Sequence, residues 1–183
     1  MCIRDRPALF LALGLMLVTP GAFATPNLGD KIAEAVEAED FEALRRVTAL
    51  ATRRGTPEEK LMAYTFSGEY WFGEGHAQNA LEWYQKATDV QLPEDQLAFS
   101  RYKAAWCHYN LGDYSQSLEQ MTQAVDSGVP QVHDEGLKDL VRFYVDAGLE
   151  DQGARAFEQR GQKALWEVAT KGRATQAPPS DDP

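Results

Sequence analysis

A three-residue pattern that ends one helix and starts the next returns along this 183-residue chain at a nearly constant spacing. Its clearest copy is Gly112-Asp113-Tyr114. The prolines Pro57, Pro93 and Pro130 follow the same spacing, at steps of 36 and 37 residues. A fixed period of this length predicts a repeat architecture, in which each repeat is one supersecondary unit. The copies are Glu39-Asp40-Phe41, Gly75-His76-Ala77, Gly112-Asp113-Tyr114 and Gly148-Leu149-Glu150, at steps of 36, 37 and 36 residues.

Two further positions keep the period. The first lies four residues after the middle of each copy and carries a small or medium side chain, and the second lies four residues later. We expect the first to let two helices approach closely and the second to fill the space beside it. The first set is Leu44, Ala80, Ser117 and Gly153, and the second is Thr48, Tyr84, Met121 and Phe157.

Each repeat is predicted to be a helical hairpin. The glycine of the pattern stands where the first helix must stop, because glycine adopts the left-handed conformation of a helix exit at low cost. Thr56-Pro57-Glu58-Glu59 is typical of a helix start, with an N-cap, a proline at the first position and a capping-box glutamate. Apolar or small residues recur at helical spacing, as in Leu137, Leu140, Val141 and Tyr144.

The fold class expected is therefore all-α. The predicted first helices are 57–72, 94–110 and 131–147, and the second helices are 78–90, 114–126 and 150–160. A weaker pair, 31–38 and 41–52, precedes them, and a short capping helix, 162–171, follows, with Ala164, Leu165, Val168 and Ala169 turned inward and Gly172 as its end.

The repeat resembles the tetratricopeptide repeat (TPR). "ALEWYQKA", residues 80–87, is similar to the second helix of that family, and "RYKAAWCHYNLGDYSQSL", residues 101–118, to its first helix and hinge. Arg101 and Arg160 stand where the family usually has apolar residues. The resemblance implies a right-handed α-solenoid of about three TPR units. The segment around Trp106-Cys107 and "LKDLVRFYVDAG" is also similar to envelope TPR proteins associated with bacterial gliding motility.

The N-terminus has the pattern of a secretory signal peptide. Arg4 and Arg6 precede an apolar run, residues 8–18, which is too short to span a bilayer, and Ala22-Phe23-Ala24 has the small-x-small form of a cleavage site. The first six residues, MCIRDR, resemble translated sequencing-adapter read-through, so the prediction of export rests mainly on the apolar run and the cleavage site. We expect cleavage after Ala24, a periplasmic or secreted protein, a helical domain over 25–172 and a disordered tail over 173–183.

Charge and cysteine content limit the possible functions. Removal of residues 1–24 leaves 16 basic and 27 acidic residues, a net charge of −11, which argues against nucleic acid as a partner. It favours neutral or basic partners. Cys2 leaves with the signal peptide, so Cys107 has no cysteine to pair with and the core must be stable without a disulfide.

No motif for catalysis, metal binding or a cofactor stands out. His108 is expected to be a buried histidine, His76 a turn residue and Cys107 a small buried side chain. His133-Asp134-Glu135 are adjacent in a helix and point in different directions, which does not suit a metal site. We therefore expect no cofactor, no metal and no enzymatic activity.

The remaining candidate is a binding groove. In stacked hairpins the first helices line the inner face, and aromatic residues beside a few charges are typical of interface hot spots. The hypothesis is a scaffold of the cell envelope that binds a protein or peptide there. Self-association as a structural component and an enzyme with an unrecognised site are the alternative functions. For Trp106 and Phe66, packing between neighbouring first helices is the alternative to a place in the groove. The candidate groove residues are Phe66, Glu69, Phe99, Tyr102, Lys103, Trp106, Tyr109, Lys138 and Arg142.

Overall fold

The computed structural model describes residues 27–174, with side chains as far as Lys171. This part of the chain is all-helical, which confirms the predicted fold class. The predicted signal peptide and residues 175–183 of the predicted tail lie outside the described residues. The nine helices described are α1 Leu28–Glu37, α2 Phe41–Arg54, α3 Pro57–Gly73, α4 Ala77–Thr88, α5 Glu94–Asn110, α6 Tyr114–Asp126, α7 Pro130–Asp146, α8 Glu150–Gln159 and α9 Lys163–Ala174.

The repeated pattern forms the same turn in every hairpin. Gly75, Gly112 and Gly148 have φ angles of 79°, 79° and 68°, and the residue after each of them is the N-cap of the next helix. At the second turn, the Gly75 amide donates to the Phe72 carbonyl over 3.1 Å and the His76 amide to the Trp71 carbonyl over 2.9 Å. These two bonds are those of a Schellman motif, which satisfies carbonyls at the end of a helix. The predicted helix exits are confirmed.

The first turn keeps this geometry without a glycine. Glu39 has a φ of 51°, the one positive value at a described residue other than glycine. Its amide donates to the Val36 carbonyl over 3.1 Å, and the Asp40 amide donates to the Ala35 carbonyl over 3.0 Å. The weaker N-terminal pair therefore uses the same turn as the later hairpins. The turn forms at Glu39 because its hydrogen bonds determine its geometry. A glycine at this position only lowers the strain of the left-handed backbone conformation.

Helix starts follow the caps read from the sequence. The Thr56 hydroxyl accepts from the Glu59 amide and the Glu59 carboxylate accepts from the Thr56 amide, which completes the predicted capping box ahead of Pro57. Asp40 and Asp113 accept from amides in the first turns of α2 and α6. The hinge acid is therefore the N-cap of the second helix, which explains its place in the repeat.

The chain divides into two compact units at the junction of Leu92 and Pro93. In the first unit, α3 packs against α1, α2 and α4. Tyr84 of α4 is fully buried, and a Cβ on Gly68 of α3 would lie 2.7 Å from its ring, so this glycine permits the close approach of the two helices. The core around α1–α3 is formed by Ile32, Ala35, Leu44, Val47, Ala51 and Ala63.

In the second unit, α5 pairs with α6, and α7 packs against both of them and against α8 and α9. All eight residues predicted at the two periodic positions of the second helices are buried across the two units. Met121 and Phe157 are fully buried in the second unit. Arg101 and Arg160, which depart from the apolar pattern, form two-point ion pairs with Glu94 and Asp126 instead.

The capping helix differs from its prediction in two ways. It continues through Gly172 to Ala174, so this glycine does not end it. The prediction of its inward side was also wrong, because Val168 is 73% exposed and Trp166 is the buried residue. Trp166 packs on Phe157 and Tyr144 and covers Gly153, where a Cβ would lie 2.3 Å from its ring. The large indole buries more apolar surface there than the predicted alanines and valine would.

None of the helices in residues 28–174 combines the length and apolar character needed to cross a membrane.

The left-handed turn can be tested with two glycines of the second hairpin. A Cβ at Gly75 or at Gly73 would meet no atom within 4 Å, but Gly75 has a φ of 79°, whereas Gly73 is helical. We expect Gly75→Ala to lower the free energy of unfolding by about 1–2 kcal/mol. Gly73→Ala should leave it unchanged or raise it by up to about 1 kcal/mol. Urea denaturation followed by circular dichroism measures both, and equal effects would contradict the strain at Gly75.

A second test concerns two buried serines. Ser117 is fully buried, and its hydroxyl finds no partner within the described part of the chain, whereas Ser67 contacts the Thr48 hydroxyl at 3.2 Å and donates to the Ala63 carbonyl over 2.8 Å. Ser117→Ala should raise the free energy of unfolding by about 1 kcal/mol, since it removes a desolvated hydroxyl, and Ser67→Ala should lower it by about 1 kcal/mol. Thermal and urea denaturation of both variants check the opposite signs.

Candidate partner-binding face

The candidate site lies in the second unit, where two first helices, α5 and α7, pack together. Their contact is polar and aromatic. Tyr102 of α5 donates its hydroxyl proton to Asp139 Oδ2 over 2.7 Å, and Trp106 donates its indole N–H to the same oxygen over 3.2 Å. Trp106 is 9% exposed, so it packs between the helices rather than standing free in a groove.

One helical turn further along, a second set of groups joins the same helices. The hydroxyl of Tyr109 donates to Asp146 Oδ2, and Arg142 Nε donates to the Tyr109 oxygen over 3.1 Å and to Asp146 Oδ2 over 3.3 Å. The Arg142 guanidinium lies 5.3 Å from the centre of the Trp106 ring and 5.1 Å from that of Tyr109, within the range of a cation–π contact.

Phe143 of α7 packs against two of these aromatic rings. It is fully buried, stacks on Tyr109 with ring centres 4.6 Å apart and meets the edge of Trp106 at 5.0 Å. Trp106, Tyr109 and Arg142 each have both a hydrogen bond and a ring contact, which together hold these three side chains in fixed positions. We call this set the α5–α7 seam, and its members are Tyr102, Trp106, Tyr109, Asp139, Arg142, Phe143 and Asp146.

Burial changes the acid–base properties of the seam. Burial raises the pKa of Asp139, and Glu135 raises it further, while the bonds from Tyr102 and Trp106 and the charge of Arg142 lower it. Burial also raises the pKa of Tyr102, together with the negative charge of Asp139. Tyr109 has a raised pKa because of burial and its bond to Asp146. The hydroxyls of Tyr102 and Tyr109 therefore stay protonated and act as hydrogen-bond donors.

The structure brings together four of the predicted site residues, Tyr102, Trp106, Tyr109 and Arg142. Lys138 lies outside the seam, on the exposed side of α7, and pairs with Glu135 at 3.0 Å. Lys103 is only 6% exposed, with its ammonium 5.4 Å from the centre of the Phe99 ring, so it does not offer an open charge.

The two candidates in the first unit have packing roles there. Phe66 is half-buried and packs on the core around α1–α3. Glu69 accepts a hydrogen bond from the Tyr84 hydroxyl, which joins α3 to α4. Both therefore stabilise their own unit, and Phe66, like Trp106, packs between helices.

Sequence reasoning missed Asp139 and Phe143. A signal for Asp139 was present, because it lies three residues before Arg142 and seven before Asp146, which places all three on one side of α7. Nothing in the sequence indicated that its carboxylate would take two donors from α5. Phe143 was hidden in the apolar pattern of α7, where it is one of several core residues.

The histidines and the cysteine occupy structural positions. His108 is 8% exposed, with Nδ1 3.5 Å from Asp113 Oδ2, and Cys107 is fully buried, as expected for both. His76 is the exposed N-cap residue of α4, beside Trp71. Within residues 27–174, no group of three or more His, Cys, Asp or Glu side chains is arranged to hold a metal ion.

Comparison with protein-family models, with curated proteins and with solved structures finds no match for this chain. Its site must therefore be interpreted from its own geometry. The seam offers hydrogen bonding, aromatic stacking and paired charges, with Arg142 and Asp146 partly open to solvent.

The raised pKa of Asp139 gives a pH test with a defined sign. A carboxyl whose folded pKa exceeds its unfolded value, about 3.9, stabilises the fold below that value, and this contribution is lost as the pH rises through the folded pKa. Asp139→Asn keeps an oxygen for Tyr102 and Trp106 but removes the charge. We expect the stability of this variant relative to the native chain to increase from pH 4 to pH 7.

Asp126 is the matched control for that test. The hydrogen bond from Arg160 lowers the pKa of Asp126, so its contribution is present above the unfolded value and is lost as the pH falls through the folded one. Asp126→Asn should therefore lose stability relative to the native chain at pH 7 and approach it in acid. Urea denaturation across the pH range measures both variants, and the same trend in both would contradict the assignment.

Proposed function

We propose that this chain is a right-handed α-solenoid of the tetratricopeptide type, with about three TPR units, a weaker N-terminal pair and a C-terminal capping helix. The support is the 36–37-residue period, the identical two-bond turn in each hairpin and the small or medium residue buried in each second helix. In such a solenoid each repeat contacts its neighbours and the first helices line the inner surface.

We further propose that it is a non-catalytic scaffold that binds a protein or peptide on the face of the first helices. The observation that carries this function is the packing of α7 directly on α5, which places aromatic and charged groups of successive first helices side by side. Tyr, Trp and Arg held in fixed rotamers suit a binding surface, because little conformational freedom is lost when a partner arrives.

The groups available to the partner lie along the open side of α7. Lys138 and Arg142 have side chains 59% and 45% exposed, and Asp146 is 32% exposed. Both signs of charge are present, so complementary charges on a peptide would set its register, while contacts with Trp106 and Tyr109 fix Arg142 in place. The net charge of −11 in the proposed mature chain favours neutral or basic partners over nucleic acid.

The proposed compartment is the periplasm or the exterior of the cell. It rests on the short apolar run and the Ala22-Phe23-Ala24 site. A scaffold of the cell envelope would then meet its partner after export and removal of residues 1–24.

Site-specific photo-crosslinking tests the proposed face. A photoreactive residue in place of Lys138 on α7 should form adducts with a partner protein in an envelope extract, whereas one in place of the exposed Glu119 on α6 should not. Arg142→Ala should lower the yield at position 138 about tenfold, since arginine is prominent among interface hot spots. The same adducts at both positions, or a yield unaffected by Arg142→Ala in a folded protein, would reject the face.

A further inference from the structure

The first hairpin has an open groove between α1 and α2. Its floor is apolar and includes Ala38, Ala43, Val47 and Leu50, and its volume is about 440 Å³. Among the described helices, none precedes α1 to cover it. A repeat end with an apolar floor is unusual, because terminal repeats normally carry a polar outer face.

The rim of this groove is charged. Lys31, Glu34 and Arg46 line it, so positive and negative groups flank the apolar floor. Arg46 is exposed and forms no ion pair with any other described residue. Its guanidinium is thus available to a carboxylate from outside the chain.

The last described helix, α9, has the complementary surface. Trp166 anchors one side of it in the core, and the other side presents Val168, which is 73% exposed, with Ala164 one turn before it. Lys163, Glu167 and Lys171 form an exposed charged row beside them, at a spacing of four residues, and Lys163 pairs with Glu158 at 3.1 Å. This side therefore combines an apolar centre with basic, acidic and basic groups.

We propose that two copies of this chain associate through these surfaces, with the exposed side of α9 from one copy in the α1–α2 groove of the next. Val168 and Ala164 contact the floor formed by Ala43 and Leu50. Glu167 pairs with Arg46 on the α2 side of the groove. The contact joins two different surfaces, so it is heterologous, and successive copies can add head to tail.

A second copy suits this groove better than the N-terminal segment of the same chain. With the proposed cleavage after Ala24, on which this point rests, only two residues precede Asn27, and they span about 7 Å. The ten-residue helix α1 alone is about 15 Å long, so two residues cannot cover the groove. Arg46 forms no ion pair with another described residue, and the exposed carboxylate of Glu167 is complementary to it, which favours this helix as the occupant.

Sedimentation velocity of the exported, mature protein tests the proposal. The average mass should rise as the concentration increases from about 10 µM to about 1 mM, as mass action requires. Val168→Glu and Arg46→Glu should each weaken the association about tenfold or more. Neither residue lies in the core contacts of its helix, and circular dichroism verifies that both variants remain folded.

A charge exchange identifies the paired residues. The double variant Arg46→Glu with Glu167→Lys should regain the association lost in Arg46→Glu alone, because the pair is restored with reversed signs. Arg155→Glu, at an exposed position of α8, is the matched control and should associate like the native protein. A monomer at every concentration, no recovery in the double variant, or an equal loss in Arg155→Glu would overturn the proposal. Mass spectrometry of the N-terminus measures the cleavage after Ala24 independently, so absence of cleavage can be distinguished from absence of association.

Discussion

The architecture depends on one turn, in which two backbone amides satisfy the carbonyls at the end of a helix while a single residue takes a left-handed conformation. This turn leaves the following residue in place as the N-cap of the next helix, so the direction of the second helix is fixed within two residues of the end of the first. Five turns in the described chain, including the one at Gly161 before α9, share these two bonds. Helices of similar length joined by the same turn give similar hairpins, and similar hairpins can pack one after another.

Packing within each hairpin is set by the size of one buried position. Where the residue at that position is small, a bulky side chain from a neighbouring helix must pack over it. The residue that supplies this side chain differs from repeat to repeat. Gly153 is covered by Trp166 from α9, while the close approach of α3 to Tyr84 is provided by Gly68 on the other helix. Close packing can thus be reached with a small residue on either helix, as expected of a core that is packed to near-crystalline density.

The α5–α7 seam adds a polar requirement to this packing. A carboxylate buried between two helices is costly unless donors reach it, and Asp139 receives two. The same bonds hold Tyr102 and Trp106 in single orientations, and Arg142 lies over the resulting aromatic surface. The same contacts therefore keep the seam rigid and leave the charges of Arg142 and Asp146 partly exposed. A rigid surface with exposed charges is the basis for proposing that these helices bind a partner.

The sequence by itself determined the helical class, the hairpin period, the left-handed turns, the cap at Thr56 and the burial of the eight periodic residues. These follow from local chemistry, since a glycine exit, an N-cap or an apolar face acts within a few residues of the chain. Only the tertiary structure decided that Trp166 rather than Val168 faces inward, that Trp106 packs instead of standing in a groove, and that Asp139 is the acceptor for two donors of α5. Each of these depends on which side of a helix meets a neighbour distant in sequence, and helical periodicity leaves several sides compatible with the same pattern until that neighbour is in place.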